Sequence, residues 1–224
     1  MKRIALYSLG ILVALLVVSA FAFAVFQPVK VLPRIRLAPG FSLTDQAGQQ
    51  LTNEDMRGKI VLYNFAYSNC PEPCGELDHI MRAVQDGLPE AMTGGVPVQL
   101  VTISIDPQRD TPEVLQAYAE KAGADAATWH FATTSNTALL KTIIGAGFEV
   151  YYQAGDDGNF ELSPSFVLVD GWGIIRGEYQ FVTSPPDAAR ILRHITVLQE
   201  EVLKSVGAGR LVYEAAHLFL CYED

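Results

Sequence analysis

Apolar residues along the chain fall into two patterns, continuous runs and helical repeats. Continuous runs at residues 60–65, 96–105 and 166–169 predict strands that are buried on both faces. Apolar positions three and four apart predict helices over residues 76–88 and after Asp187. Strands that alternate with helices in this way predict an α/β domain.

Shorter signals complete this outline. They predict an opening hairpin around residues 45–48, a helix that begins near Asp110-Thr111-Pro112, and four further elements: a strand at 129–132, a helix at 136–144, and strands at 148–152 and 174–179. The order strand, helix, strand, helix, then a hairpin and a last helix indicates a thioredoxin-like sheet.

The N-terminus carries a long apolar segment. Residues 4–26 contain no charged residue and would span roughly 34 Å as a helix, enough to cross a bilayer. Lys2 and Arg3 precede it, so the positive-inside rule leaves the N-terminus in the cytoplasm and sends the rest across. We therefore predict a transmembrane anchor. A cleaved signal peptide, ending at Ala22-Phe23-Ala24, is the competing interpretation.

Composition divides the chain into four parts. We predict an anchor over residues 1–27, a proline-punctuated linker over 28–40, a thioredoxin-like domain over 41–206 and a C-terminal helical extension over 207–224.

The extension is predicted to form an amphipathic helix. Its apolar stripe consists of Leu211, Val212, Ala215, Leu218, Phe219 and Tyr222. This stripe predicts packing on the domain or docking on a membrane partner. His217 and Cys221 are four residues apart and form a weak candidate metal pair.

Charge is distributed unevenly. Residues 1–36 hold five basic residues and no acid, which leaves 11 basic and 25 acidic residues in the remainder, a formal charge of −14. Such a body repels nucleic acid and anionic lipid, and it would be attracted to a basic partner. The alternative is that the charge serves solubility alone.

The candidate chemistry lies at Cys70 and Cys74, between the strand at 60–65 and the helix at 76–88. Unpaired amide groups and the macrodipole at a helix N-terminus favour thiolate over thiol. Residues four apart in a first helical turn lie roughly 6 Å apart, which a disulfide tolerates. The same sulfurs suit a soft metal such as Cu(I). The competing interpretation is a buried structural disulfide.

Three motifs together resemble the Sco/SenC family of membrane-anchored, thioredoxin-like copper proteins. They are residues 58–65 running into Cys70-Pro71-Glu72-Pro73-Cys74, the Asp-Pro-x-x-Asp-Thr-Pro signature at 106–112, and Trp-His-Phe at 129–131. The resemblance covers roughly residues 38 to 204. It implies delivery of copper to, or management of the cysteines of, the binuclear copper centre in cytochrome oxidase subunit II. It also implies a bacterial inner-membrane protein with its domain in the periplasm.

The resemblance implies a metal held by both cysteines and one histidine, but the histidine position is Leu162 here. Leucine offers no lone pair. Two thiolates suffice for Cu(I), whereas Cu(II) prefers a larger set of nitrogen and oxygen ligands, so we expect Cu(II) to bind poorly. Glu161 is a conceivable substitute, although strand alternation would point it away from the face of Leu162. The other substitute is a ligand donated by a partner protein.

Other polar residues near these motifs have structural interpretations. His79 is expected on the surface of its helix and His130 in a structural role on its strand. Asp106 and Asp110 are expected to cap a turn and a helix; alternatively, Asp106 would tune the acidity of the cysteines or contact a partner. Arg109 would favour thiolate if it points towards the sulfurs.

The leading hypothesis is a membrane-anchored periplasmic assembly factor for a copper-containing respiratory oxidase, acting by Cu(I) transfer, thiol–disulfide exchange or both. In thiol–disulfide exchange, Cys70 would attack a partner disulfide and Cys74 would resolve the mixed disulfide. Two alternatives are a thiol peroxidase-like enzyme and a docking or accessory subunit of an oxidase without a metal role.

Overall fold

Eight of the ten described strands form one mixed sheet, in the order β1-β10-β9-β4-β5-β6-β2-β3. The computed structural model describes residues 7, 9–15, 17–18, 30–71, 74–155, 158–181, 186–207 and 209–219. The strands are β1 (Arg36–Leu37), β2 (Ser42–Asp45), β3 (Gln50–Thr52), β4 (Ile60–Ala66), β5 (Val98–Ser104), β6 (Trp129–Thr133), β7 (Tyr152–Ala154), β8 (Phe160–Leu162), β9 (Ser165–Val169) and β10 (Ile174–Gln180). The remaining two strands, β7 and β8, pair as a separate hairpin.

Five α-helices and one π-helical segment lie between and after these strands, within the described part of the chain beyond residue 30. They are α1 (Cys74–Ala91), α2 (Pro112–Ala122), α3 (Thr137–Lys141), α4 (Ala188–Lys204) and α5 (Gly209–Phe219), with the π-helical segment at Thr142–Gly147 directly after α3. Most of the elements predicted from the apolar pattern are present, and the α/β thioredoxin-like class is confirmed.

The middle of the sheet consists of β4, which is buried on both faces. It runs parallel to β5 and antiparallel to β9. Asn64 of β4 pairs with Phe166 of β9, so the residues that follow β4 lie beside those that precede β9. This register brings the loop that contains Cys70 to the same edge of the sheet as Leu162.

Two apolar clusters cover the two faces of the sheet. One cluster receives the inner faces of α1, α2 and α4, including Leu77, Met81 and Ile195. The other receives the π-helical segment and contains Phe65 and Phe148. The molecule therefore has helical layers on both sides of the sheet, the arrangement expected for buried parallel strands.

The predicted strand at 148–152 is wrong. Phe148 and Val150 are buried, as their apolar character suggested, but Glu149 between them has a φ of 58°, in the left-handed region. Extended pairing cannot continue through that conformation. The strand begins only at Tyr152 and pairs with β8, which the pattern did not reveal.

The predicted linker over residues 28–40 is in large part packed on the domain. Val31 and Leu32 are buried, and Arg36–Leu37 pairs with β10 at the sheet edge. The prolines favour an extended backbone, as predicted, but the apolar side chains between them find places in the core. Residues 28 and 29 lie outside the described residues.

Most of the predicted anchor over residues 1–27 lies outside the described residues. The described positions between residues 7 and 18 are helical and exposed. Across the part of the chain that the structure describes, no helix combines the length and the apolar character needed to span a bilayer.

A buried arginine joins the segment before β1 and helix α4 to the sheet. Arg176 on β10 is fully buried and donates to the carboxylates of Asp170 (2.9 Å) and Glu201 (2.7 Å). It also donates to the carbonyl oxygens of Leu32 (2.8 Å) and Pro33 (3.0 Å). One guanidinium thus fixes the N-terminal segment, the turn after β9 and the end of α4 together.

Candidate functional site

The two cysteines of the central motif form a disulfide. Cys70 and Cys74 have Cα atoms 5.8 Å apart, as the spacing predicted. Cys74 is the first residue of α1 and is only 2% exposed, whereas Cys70 is half-buried in the loop before it. Glu72 and Pro73 between them lie outside the described residues. Cys70 therefore carries the sulfur that another molecule reaches more readily.

The loop before the disulfide is fixed by Asp110, the second aspartate of the Asp-Pro-x-x-Asp-Thr-Pro signature. Its buried carboxylate accepts hydrogen bonds from the backbone N–H of Ser68 (3.1 Å) and from the hydroxyls of Ser68 and Ser104. The predicted helix-cap role of Asp110 is wrong, because Thr111 caps α2 instead. Asp110 holds the cysteine loop against the end of β5.

Asp106 and Arg109 form an ion pair with each other. Arg109 also donates to the carbonyl oxygen of Gly158, and its guanidinium carbon lies 5.9 Å from the centre of the Tyr67 ring. The Tyr67 hydroxyl accepts a hydrogen bond from the backbone N–H of Phe160 (3.1 Å). Arg109 lines the cavity beneath the β7–β8 hairpin and not the cysteine groove, so its paired charge ties the signature to the hairpin.

An open groove of about 510 Å³ borders the disulfide. Its lining includes both cysteines and the ionisable side chains of Asp78, His79, Arg82 and Lys121. His79 is exposed, as predicted, yet it borders this groove. A partner segment that reaches Cys70 would therefore meet a rim of mixed charge, with Arg82 and Lys121 beside Asp78.

Asp78 is the groove residue that the sequence reasoning missed. Burial raises the pKa of its carboxyl to about 6, and its carboxylate accepts a hydrogen bond from the Tyr118 hydroxyl (3.1 Å). The signal was present, since Asp78 lies four residues after Cys74 and so on the same side of α1. A carboxyl group with a pKa of about 6 therefore belongs to the wall of the groove.

His130 lies away from the cysteines on β6. One of its ring nitrogens lies 2.8 Å from the side-chain oxygen of Gln99, and burial lowers the pKa of the imidazole. This environment agrees with the structural role predicted for it. His217 on α5 lies 2.9 Å from Glu201, and Cys221, its suggested metal partner, lies outside the described residues.

Leu162 occupies the position implied for a histidine ligand. It is half-buried on β8 and, like Cys70, packs against both core clusters. Glu161 is exposed on the other side of β8, as strand alternation predicted. Within the described residues, no group of three or more histidine, cysteine or acidic side chains is arranged to hold a metal ion. The donor set at this edge is two sulfurs, which fits Cu(I) once the disulfide is reduced.

Comparison with known proteins identifies the family. The family model for SCO1/SenC proteins matches residues 30–197, three quarters of the chain. The chain belongs to the SCO1/SenC family. The resemblance inferred from the cysteine motif, the signature and Trp-His-Phe is thereby confirmed.

Curated SCO relatives match parts of the chain. The mitochondrial SCO2 homolog of Homo sapiens is 33% identical over 118 residues, which cover 51% of this chain and 41% of that protein. A putative copper-binding protein of Stutzerimonas stutzeri is 28% identical over 169 residues, 75% of this chain and 80% of that one. The chain thus spans about two fifths of the length of the human relative.

Solved structures of SCO1/SenC proteins share the fold. A SCO1/SenC family lipoprotein from Bacillus anthracis covers 73% of this chain and 95% of its own, with a TM-score of 0.66 and 25% identity. Arabidopsis thaliana ScoI, determined with copper bound, gives a TM-score of 0.63 at 22% identity and covers 74% of this chain and 99% of its own. BsSco is described as a member of the Sco family of cytochrome c oxidase assembly proteins. It gives a TM-score of 0.65 at 21% identity and covers 75% of this chain and 96% of its own.

Proposed function

We propose that this SCO1/SenC protein is a membrane-anchored, periplasmic assembly factor for a copper-containing respiratory oxidase. It would act on the copper subunit through Cys70 and Cys74. The observation that carries the proposal is the Cys70–Cys74 disulfide at the start of α1, in which Cys70 is half-buried and Cys74 is buried. Relatives described as copper-binding and as cytochrome c oxidase assembly proteins support the direction of the proposal.

In thiol–disulfide exchange, the reduced Cys70 thiolate attacks one sulfur of a partner disulfide. A bond forms between Cys70 and that sulfur, and the other partner sulfur leaves as a thiolate. The Cys74 thiolate then attacks the Cys70 sulfur, which restores the intramolecular disulfide and releases the second partner thiolate. The partner gains two electrons, so a thiol reductant must reduce Cys70–Cys74 before the next cycle.

In copper transfer, the same reduced pair would carry Cu(I) as cargo between two thiolates. Two-coordinate sulfur ligation suits Cu(I), and Leu162 supplies no third ligand that would favour Cu(II). Because copper and a disulfide cannot occupy the same sulfurs, the two activities are alternative states of one site. Reduction of the disulfide is the step that both require.

The membrane anchor and periplasmic position rest on residues 1–27. The uncharged run and the two preceding basic residues support an inner-membrane helix with the N-terminus in the cytoplasm. An oxidising compartment also suits a cysteine pair that forms a disulfide. Flotation of the full-length chain with lipid vesicles, and its retention after alkaline extraction, would test this part of the proposal.

Anaerobic titration of the reduced full-length protein with Cu(I), against a chromophoric chelator, tests the copper role. Cys221→Ser would be present in all variants, so that any Cu(I) bound to cysteine is bound to Cys70 and Cys74. We expect about one Cu(I) per chain, lost in Cys70→Ser/Cys74→Ser, and Cu(II) binding only after Leu162→His. Cu(I) binding no greater than that of the double serine variant would refute copper transfer.

Trapping of a mixed disulfide tests the exchange role. A peptide with two cysteines joined by a disulfide would be incubated with reduced Cys74→Ser and, as the matched control, with reduced Cys70→Ser. We expect Cys74→Ser to accumulate the adduct because its Cys70 cannot be resolved, and Cys70→Ser to form little. Equal adduct formation by both variants would contradict the assigned roles. Turnover with peroxide would instead favour a peroxidase-like enzyme.

A further inference from the structure

The C-terminal helix α5 is fixed to the domain by one face. Tyr213 and Ala216 are buried against Val31 of the N-terminal segment. Glu214 pairs with Arg34 at 3.1 Å, next to this contact. These contacts determine how the helix is rotated about its axis. The residues that face away from the domain therefore do so in a defined orientation.

The outward face of α5 presents exposed apolar side chains. Leu211 is 77% exposed and Val212 is 43% exposed, and they belong to the stripe that the sequence predicted. That stripe points largely to solvent, so the expectation that it packs on the domain is wrong for its described part. The side chains of Leu218 and Phe219 and all of residues 220–224 lie outside the described residues.

The end of α4 extends this apolar surface. Leu203 is 53% exposed and Val206 is 72% exposed, directly before α5 begins. We call Leu203, Val206, Leu211 and Val212 the apolar ridge. Four large apolar side chains exposed within ten residues of the chain, two at or just beyond the end of α4 and two on α5, indicate a binding surface rather than scattered exposure.

Charges around the ridge suit a phosphate-rich surface. Three acidic residues at this end have cationic partners: Glu200 with Lys204 (2.6 Å), Glu201 with Arg176, and Glu214 with Arg34. Arg210 adds a positive charge in the first turn of α5. The described acidic residues from Glu200 onward are therefore each paired with a cation, while Glu223 and Asp224 lie outside the described residues.

The position of the ridge follows from the course of the chain. Val31, which packs on α5, comes five residues after the end of the uncharged run at residue 26. Five residues span at most about 17 Å. If that run crosses the bilayer as proposed above, the contact between Val31 and α5 lies close to the membrane surface.

We propose that α5 is an interfacial helix whose apolar ridge inserts into the headgroup region of the membrane that holds the anchor. The ridge would contact acyl chains near the headgroups, and Arg210 would contact lipid phosphates, as in other amphipathic helices that lie in the membrane plane. This inference rests on the membrane anchoring in the proposed function. It would hold the domain at a fixed orientation above the bilayer, with α5 against the lipid.

The test uses the full-length oxidised chain with Cys221→Ser, so that Cys70 and Cys74 are blocked as the disulfide. A single reporter cysteine is introduced by Leu211→Cys or, as the control, by Ala117→Cys on the exposed side of α2. Each variant is labelled with a small fluorophore. It is then reconstituted into vesicles of phosphatidylcholine and phosphatidylglycerol, with or without bromine near the headgroup end of the acyl chains.

We expect brominated lipid to quench the fluorophore at position 211 several-fold more than the one at position 117. With the reporter moved to Ala215→Cys, Leu211→Glu should abolish most of the quenching and Leu211→Met should retain it. Equal quenching at 211 and 117 in chains that float with the vesicles would overturn the interfacial helix while leaving the anchor intact.

Two other results would also overturn the inference. A signal at position 211 that follows the protein-to-lipid ratio and ignores bromine would show that a second copy covers the ridge. Chains that fail to float would refute the anchoring and the placement of α5 with it. The Cu(I) and mixed-disulfide assays report on Cys70 and Cys74 separately, so either failure is distinguishable from failure of the cysteine chemistry.

Discussion

Replacing Asp78 by asparagine should remove a pH dependence of stability that originates in the wall of the cysteine groove. Burial raises the pKa of this carboxyl from 3.8 to about 6. The folded protein therefore holds the proton more tightly than the unfolded chain does. The resulting stabilisation is fully present below the unfolded pKa and is lost as the pH rises through about 6.

The size of the effect follows from the shift. The two pKa values differ by roughly 2 units, and each unit corresponds to about 1.4 kcal/mol, which gives an upper value of about 3 kcal/mol. Because the groove is open to water, we expect about 2 kcal/mol. Asparagine has nearly the same shape and retains an oxygen that accepts the Tyr118 hydrogen bond, but it cannot ionise.

Urea unfolding of the oxidised protein from about pH 4 to about pH 7 measures this effect. The free energy of unfolding of the wild type, minus that of Asp78→Asn, should fall by about 2 kcal/mol over this range. Glu76→Gln, which alters an exposed acid on the neighbouring turn, should produce a change below about 0.5 kcal/mol. Parallel pH profiles for the wild type and Asp78→Asn would refute the reasoning, because Asp78 would then ionise without penalty.

Two further predictions concern buried carboxylates. Asp110→Asn should weaken the hold on the Ser68 loop by about 1–3 kcal/mol and accelerate reduction of the Cys70 disulfide by a small dithiol. An unchanged reduction rate would show that Asp110 does not position the loop. Arg176→Met should lower the free energy of unfolding by about 3–5 kcal/mol, because it leaves buried carboxylates without their cation. Adding Glu201→Gln should recover part of that loss, and a loss below about 1 kcal/mol would contradict the role of the network.

The central sheet was predictable because its physical signature is strong. Strands β4 and β5 are buried on both faces at almost every position, and such strands are rich in apolar residues. The cysteine junction was predictable for a related reason. A buried strand followed directly by a helical repeat places the residues between them at a helix N-terminus, and the disulfide is found there.

The errors arose where tertiary contacts override local pattern. The apolar residues around Glu149 were expected to extend, but a left-handed residue turns the backbone while the neighbouring side chains stay in the core. The proline-rich segment before residue 40 was expected to be an extended linker, yet Val31 and Leu32 pack in the core and Arg176 binds its carbonyl oxygens. Propensity reports backbone preference only, and it cannot report which surface a short segment meets.

The sequence identified Leu162 as a departure, and the structure gives that residue a different role. Its side chain packs against both apolar clusters, as does Cys70 at the same edge of the sheet. A histidine here would exchange apolar packing for a polar ring that needs partners of its own. Leu162→His therefore tests two effects at once, a gain in Cu(II) affinity and a loss in stability. If Cu(II) binding appears while the protein is destabilised, the leucine favours core packing and leaves the chemistry of this edge to the two sulfurs.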